Sequence, residues 1–465
     1  MTGDIAFKEI DRCAEKLNEL SQRIWNHPEV AYHEVKAMRW TAELMREEGF
    51  AVEEGAYGVP TALRAVWGSG HPIIGYLGEY DALPNLSQRV CTHKEPIEGQ
   101  RYGHGCGHNL ICVGHAAAAI GMKKELEQRG LSGTVVFYGC PAEESDNGKA
   151  IMARGGAFKD LDAAMAFHPS WFTYCFTGGK LGGRQIKFHF TGKTSHAGSS
   201  PQNGRSALAA VELLNVGANY LKTYLPPSCR LFYTISDVGG DNPGVIPEHA
   251  AALYSYKGGD PASMEECRER LINVAKGAAM MTGTTVEVEM LGGYSALVNN
   301  NVLLGVLDEA LRSAPQEPFT PEEIAFAKEL DEGNEANWRS KIAQLGGEEI
   351  HLQYGVLPIR NFDTNGSTDV GDVSQIVPTI FCKVACYNVG TNGHTWQTTV
   401  CAGSSFGFKG AMFAGKALAA AGIRLAERPD LVVRAKEEFD RTFAGQSYVC
   451  PMPADFRPPN PDEEV

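Results

Sequence analysis

Gly103–His115 reads GHGCGHNLICVGH, and the rest of the chain is best understood outward from this stretch. Cys106 and His108 stand two residues apart in a run of glycines that gives way to an apolar helix from Asn109. Glycines let the backbone pass close to a bound group, so a thiolate and an imidazole placed there can converge on one metal ion. A Cys-x-His pair alone is ambiguous, because free cysteines are commonly buried as small hydrophobes. Its company narrows the reading. Glu143 and Glu144 follow an apolar strand in GCPAEES, His168 closes another in AAMAFHPS, and His394 lies in NVGTNGHTWQ.

Three predicted strands bring most of these groups to one place. HPIIGYLGEYDALP reads as a buried strand over Ile73–Leu77 that delivers Glu79 and Asp81 at its C-terminal end, where ligands bind in open α/β sheets. GTVVFYGC is a second strand, and the adjacent carboxylates beyond it repel one another unless a cation or a proton intervenes. LDAAMAFH is a third. Asp81, Glu143, Glu144 and His168 thus share one sheet edge, with Cys106 and His108 in the intervening connection. That constellation is expected of a metal-dependent hydrolase. LICVGHAAAAIGMKKEL is a helix packed on most sides, so His115 within it reads as a core or supporting histidine rather than a ligand.

At 465 residues the chain is long enough for two or three domains. The formal net charge of -14, without any long Lys/Arg cluster, argues against a nucleic-acid or anionic membrane partner. No run approaches the roughly 20 apolar residues needed to span a bilayer. The first residues lack a basic segment followed by an apolar one, so a soluble, cytoplasmic protein is expected. Twelve cysteines without regular spacing suit reduced thiols better than a disulfide framework.

Apolar residues at three-to-four spacing predict a helix over 4–25, with a second from about Glu34 to Glu48, and 87–102 reads as a polar surface loop. The rhythm changes near Arg184. From 184 to 294 the order is strand, helix, strand, strand, helix, strand, a ferredoxin-like α+β domain. Because later residues still hold a presumed ligand, this domain is inserted into a larger α/β one formed by 1–183 and 295–465. Pro315–Glu349 reads as a helical excursion on the surface. VPTIFCKVACYNVG is a strand leading to His394, and GSSFGFKGAMFAGKALAAAGI and Pro429–Phe443 are helices.

HPEVAYHE, GEYDALP, GHGCGHN, CPAEES, AFHP, TGKTSHAGSSPQNGRSALAAVELLN, STDVGDVS at Ser367–Ser374, GHTWQ and YVCPMP span nearly the whole chain. In order and spacing they resemble the M20 metallopeptidase and amidohydrolase family, within its aminoacylase/carboxypeptidase branch. The resemblance implies a zinc-peptidase-like catalytic domain, a mixed sheet flanked by helices, with an inserted lid that also forms a homodimer. It implies two divalent metal ions, Zn or Mn, with Cys106 as bridging ligand and His108, Glu144, His168 and His394 completing the shells. Glu143 takes the place of the general base, and Asp81 that of the carboxylate orienting a ligand imidazole. His196 in TSHAG resembles the histidine that reaches across the dimer to the partner's oxyanion, and Arg205, Asn242 and Lys257 complete the candidate substrate-binding set. The implied substrate is a small amide: an N-acyl or aroyl amino acid, a dipeptide, or an aromatic amide such as p-aminobenzoyl-glutamate.

Three positions depart from the family pattern. Asn109 replaces an acidic residue, which removes a charge beside the ligands. Gly244 occupies the place of a lid amide, with Asn242 two residues earlier. Lys257 stands for an arginine and cannot make the same two-pronged contact with a carboxylate. In the implied pattern those lid groups hold the substrate's terminal carboxylate, so the catalytic centre is expected intact and the recognition surface changed, with a carboxylate-independent amide hydrolase of altered specificity as the alternative. Two other readings explain less. A cysteine hydrolase built on Cys106 and His108 leaves Glu144, His168 and His394 without a role. A partner protein with a structural zinc needs closed four-coordinate ligation and no neighbouring base, so Glu143 argues against it.

Overall fold

Ile10, Cys13, Leu17, Leu20 and Ile24 recur on one face of α1 (Asp4–Asn26), and all five are buried. That apolar stripe lays the helix along the body of the protein. The computed structural model describes residues 3–145, 147–361 and 366–462. After α2 (Val35–Glu47) come β1 (Ala51–Glu54), β2 (Leu63–Ser69) and β3 (Ile73–Glu79). Next is α3 (His108–Arg129), buried at every residue from His108 to Met122 and so without a polar face in that stretch. Then follow β4 (Gly133–Cys140), α4 (Gly148–Arg154) and β5 (Ala163–Ser170).

The chain leaves this body for β6 (Gly182–Thr191), α5 (Ala207–Leu221), β7 (Arg230–Asp237), β8 (His249–Gly258), α6 (Pro261–Thr282) and β9 (Thr285–Tyr294). These strands form an antiparallel sheet in the order β7-β8-β6-β9, with its own apolar core against α5 and α6. This is the expected ferredoxin-like arrangement. Its first strand starts at Gly182, ahead of Arg184, because Gly182 and Gly183 pair through backbone with Gly258 and Lys257 and carry no side chains whose alternation could be read.

The return passes through α7 (Asn301–Ser313), α8 (Pro321–Glu332), α9 (Glu335–Gln344) and α10 (Val370–Ser374) to β10 (Thr379–Ala385), and ends in α11 (Trp396–Gly403), α12 (Ser405–Glu427) and α13 (Pro429–Thr442). β10 adds to the first sheet, whose order is β1-β2-β4-β3-β5-β10. β4, β3, β5 and β10 run parallel, and β1 and β2 are antiparallel additions at the far edge. Parallel pairing puts the C-terminal ends of four strands on one rim. α1, α3 and α12 pack together beside the sheet. The α8–α9 excursion is less superficial than expected, since Asp331 and Lys341 are buried. Asp331 accepts from Asn388 Nδ2 and the Gly390 N–H, both at 2.5 Å, and so braces the loop that leads to His394. No helix among the described residues is long and apolar enough to cross a membrane.

His115 is a core residue, as expected. Its Nδ1 donates to Ile111 O at 2.7 Å, its Nε2 accepts from the Phe167 N–H at 3.3 Å, and its ring stacks on Phe167. Burial holds its pKa down at about 3, against an ordinary 6.5. Between those values the unfolded chain binds a proton that the folded protein refuses, so stability falls as pH drops through the window, by about 1.4 kcal/mol per pH unit for each such group. His115→Gln keeps an acceptor for Phe167 and removes the titration. In urea unfolding at pH 4 to 6, the variant's stability should depend on pH less steeply, by about one proton. An unchanged slope would contradict the buried neutral histidine.

Candidate active site

Every predicted ligand stands on the shared rim. Asp81 follows β3, Glu143 and Glu144 follow β4, His168 lies near the end of β5, and His394 follows β10. Cys106 and His108 arrive from the glycine-rich loop at the head of α3. Gly107 caps that helix with φ at +74°, and a Cβ there would sit 2.9 Å from the Tyr387 hydroxyl. Tyr387 in turn donates to Cys106 O at 2.7 Å, and the His394 N–H donates to Gly105 O at 3.1 Å. The loop is thereby tied to the segment beyond β10.

Cys106 Sγ lies 3.3 Å from His168 Nε2. His108 Nε2 faces Glu144 Oε1 at 3.7 Å and Glu79 Oε2 at 3.5 Å. His394 Nε2 approaches the same Glu144 oxygen at 3.5 Å. Ligand atoms fall within 4.8 Å of one another in three sets: Cys106, His108 and His168; Cys106, Glu144 and His394; and His108, Glu143 and Glu144. The first two sets share Cys106.

Two observations fit this donor set to cations. First, His108 Nε2 and Glu144 Oε1 are buried without a hydrogen-bond partner among the described residues, a rare and costly situation for polar atoms. Second, the anionic forms are disfavoured together. Burial, reinforced by Glu143 and Asp81 against the pull of His108, pushes Glu144 up to about 8. Burial and Glu79 push Glu143 up as well, and burial and Glu144 raise the Cys106 thiol. Burial, Lys383 and Lys180 hold His168 well below its usual range, so it is a neutral imidazole with a free lone pair.

Asp81 orients the cluster. Its Oδ1 accepts from His108 Nδ1 at 2.8 Å, and its Oδ2 accepts the Glu144 N–H at 3.0 Å. Burial alone would raise this carboxyl, but His108 outweighs it and keeps Asp81 ionised. Burial likewise opposes charge on His108, yet Asp81 and Cys106 outweigh it and raise that imidazole well above its usual value. With Nδ1 committed to Asp81, Nε2 is turned toward the other ligands. His168 uses the same device, donating from Nδ1 to Pro169 O at 2.7 Å.

Several supporting residues escaped the sequence reading. Ala142 and His394 both have φ at +56°, a left-handed conformation that costs side-chain-bearing residues of order 1 kcal/mol or more. Buried Glu34, in the HPEVAYHE segment, accepts the Ala142 N–H at 2.8 Å and Thr61 Oγ1 at 3.0 Å, holding the strained turn before Glu143. Lys149 is fully buried and bridges Glu79 at 2.5 Å and Asp369 at 2.6 Å. The STDVGDVS segment was a signal for Asp369, but nothing in the sequence paired it with Lys149. Asn109, expected beside the ligands, turns away and donates to Ser21 Oγ and Ala402 O, joining α3 to α1 and α11.

A cavity of about 960 Å³ opens over the cluster, and Cys106, Glu143, Glu144, His168 and His394 line it. The other candidates are not brought to it within one chain. His196 is exposed and accepts the N–H groups of Gly198 and Ser199; Arg205 is exposed and donates to Gln202 O and Gly204 O. Asn242 is exposed and accepts the Gly244 N–H at 2.9 Å, and Lys257 Nζ lies 6.0 Å from the Tyr294 ring.

No family model matches the chain. It is 36% identical to one of the subunits of p-aminobenzoyl-glutamate hydrolase of Escherichia coli (strain K12) over 467 residues, with 97% of each chain covered. Its fold matches a dinuclear metal-binding peptidase of the M20 family from Bacillus subtilis with a TM-score of 0.61, at 18% identity over 90% of this chain and 99% of that one. The chain belongs to the M20 family of metallopeptidases and amidohydrolases. As an M20 protein it is a hydrolase of C–N bonds in amides or peptides. Human Xaa-Arg dipeptidase is 28% identical, with 95% of this chain and 92% of that one covered. A putative aminohydrolase from methicillin-resistant Staphylococcus aureus shares the M20 architecture with a TM-score of 0.68, at 20% identity over 91% of this chain and 99% of that one.

Asp81→Asn loses the charge that fixes His108. The site should then hold a divalent cation about 10- to 100-fold more weakly in chelator competition. Unaltered affinity would mean that Asp81 does not orient the ligand.

Proposed function

We propose that this chain is a two-metal amidohydrolase of small N-acyl or aroyl amino acids, dipeptides or aromatic amides such as p-aminobenzoyl-glutamate, with Glu143 as general base. The observation that carries this reading is a carboxylate beyond the needs of simple ligation, Glu143, beside two ligand sets that share Cys106. Cys106, His108, Glu144, His168 and His394 would hold the ions, with Cys106 shared between them. Thiolate and imidazole favour zinc, and the carboxylates admit manganese. Bound there, two divalent ions would supply Lewis acidity for the amide carbonyl and lower the pKa of the attacking water.

The protein's own groups manage the proton. Glu143 takes it from the attacking water and passes it to the leaving nitrogen, acting first as base and then as acid. Its raised affinity for a proton suits the second half of that task. Asp81 keeps His108 aimed, and the Lys149 bridge fixes Glu79 behind the cluster. The names of the Escherichia coli and human relatives support an aroyl amino acid or a dipeptide as substrate. All twelve cysteines are unpaired, in keeping with a reducing, cytoplasmic compartment.

The lid supports a homodimer. β7 is an edge strand that exposes Phe232, Tyr233 and Ile235, and Tyr220 on nearby α5 is 73% exposed. An unpaired apolar edge of this kind favours association. The partner's lid would then present His196 to the cavity that its own chain leaves unserved. Because the Escherichia coli relative is named as one subunit of its enzyme, a different type of chain is the other candidate for this edge.

Glu143→Gln should retain bound metal and lose about 10³-fold in kcat on the best of a panel of N-acyl amides. Chelation should abolish turnover of the wild type, and full activity in the Gln variant would reject the base. The double substitution Phe232→Glu and Ile235→Glu should convert a dimer to a monomer in light scattering, and an unchanged mass would move the interface elsewhere.

A further inference from the structure

Basic side chains line the cavity beside the acidic rim. Lys180 and Lys383 both line it, with Arg360 alongside. Lys180 is only 5% exposed and Lys383 is partly buried. Their ammonium groups lie over one ring, 4.9 and 5.2 Å from the Phe381 centroid, and close enough to each other to interact directly. Among the described residues neither has a carboxylate within ion-pair distance.

The rest of the molecule shows how the fold treats a buried cation when its role is structural. Lys149 is held between Glu79 and Asp369, and Lys341, which also lines the cavity, donates to Thr391 O. Arg184 donates to Gly183 O and Tyr294 O. Lys180 and Lys383 have no partner of that kind at ion-pair distance: Glu143 and Cys106 attract both from farther off, and repulsion between the two lysines and desolvation make the pair unfavourable until an anion joins it. Among the described residues no carboxylate of the rim comes within ion-pair distance to fill that role. In the two-metal reading the charges of Cys106 and Glu144 would be taken up by the ions, which leaves Glu143 alone facing two lysines.

Both lysines are rigidly placed. Lys180 pairs with Leu297 in a short antiparallel ladder, and the preceding Gly179 is required there because a Cβ would lie 1.7 Å from Leu297 O. Lys383 is the strand partner of His168 in the β5–β10 register. Buried Asn299 ties the strand of Lys383 to the segment before Lys180: its Oδ1 accepts the Phe381 N–H and its Nδ2 donates to Phe381 O and Phe176 O. Adjacent strands are about 4.8 Å apart, so Lys383 stands one strand from His168.

We infer that Lys180 and Lys383 form an anion subsite that receives the free carboxylate of an amino-acid leaving group, so that carboxylate recognition is built into the wall of the chain's own cavity. This rests on the amidohydrolase reading and deepens it. It also accounts for the altered lid, in which Gly244 and Lys257 replace groups that serve this purpose in the implied pattern.

The test separates binding from turnover. Metal-loaded Glu143→Gln protein is titrated calorimetrically with N-benzoyl-L-glutamate and with its uncharged diamide. The carboxylate form should bind at least about tenfold more tightly, and Lys180→Met or Lys383→Met should each collapse that preference, whereas Lys180→Arg retains it. Should a methionine variant fail to fold, Lys180→Gln and Lys383→Gln serve in its place. No preference in the Glu143→Gln protein, an undiminished preference in the neutral variants, or an equal loss of both compounds would overturn the subsite. Hydrolysis by the metal-loaded wild type is scored separately. Carboxylate preference without cleavage of any amide counts against the catalytic reading alone, and cleavage without preference counts against the subsite alone.

Discussion

Crowding of negative charge at the C-terminal rim of one sheet is the constraint on which the structure depends. Asp81, Glu143, Glu144 and the Cys106 thiol converge within a few ångströms, with buried Glu79 directly behind. Water cannot screen them there, and protons alone relieve the repulsion only by converting the groups to forms that bind nothing. Divalent cations would resolve the conflict without that loss. Parallel pairing of β3, β4, β5 and β10 makes the convergence unavoidable, because it sends four strand ends to the same side.

The scaffold meets the cost with groups that do not touch the substrate. Lys149 offsets Glu79 and Asp369 in a dry triad, and removing any one member would leave an uncompensated buried charge. Glu34 caps the strained turn that carries Glu143 and Glu144. Asp331, reaching in from α8, steadies the loop that ends at His394. Left-handed geometry at Ala142 and His394 persists because these contacts over-determine it. The centre is thus positioned by residues drawn from the whole length of the chain, which is why its two sequence segments must fold as one body.

How much of this was legible in the sequence follows from the kind of signal each part leaves. The cluster itself was readable, because apolar runs ending in Asp81, Glu143 or His168 announce strand ends, and a Cys-x-His among glycines announces a loop before a helix. The ferredoxin-like order was readable from periodicity alone. Lys149, Lys180 and Lys383 were not. Lysines are abundant on surfaces, and 203 positions separate Lys180 from Lys383 in a chain whose β5–β10 pairing no local pattern reveals. Asn109 was misjudged for a related reason: adjacency to His108 in sequence says nothing about direction, and one step along a helix turns a side chain by about 100°. It therefore faces α1 and α11 while His108 faces the rim.

That geometry bears on how catalysis and recognition are divided. The proposed metal ligands and base stand on or just beyond strands of the parallel sheet and at the head of α3, where small displacements are resisted by packing on every side. Of the lid candidates, His196, Arg205 and Asn242 sit on exposed turns and half-buried Lys257 on β8 of a separate sheet with its own core, free to diverge without disturbing the rim. Gly244 and Lys257 are what such freedom looks like in one chain. A cation pair fixed by β10 and by the Gly179–Lys180 ladder does not share it, since moving Lys383 would move the strand that aligns His168. Specificity seated there is coupled mechanically to the catalytic centre, and specificity seated on the lid is coupled to whatever partner the lid meets.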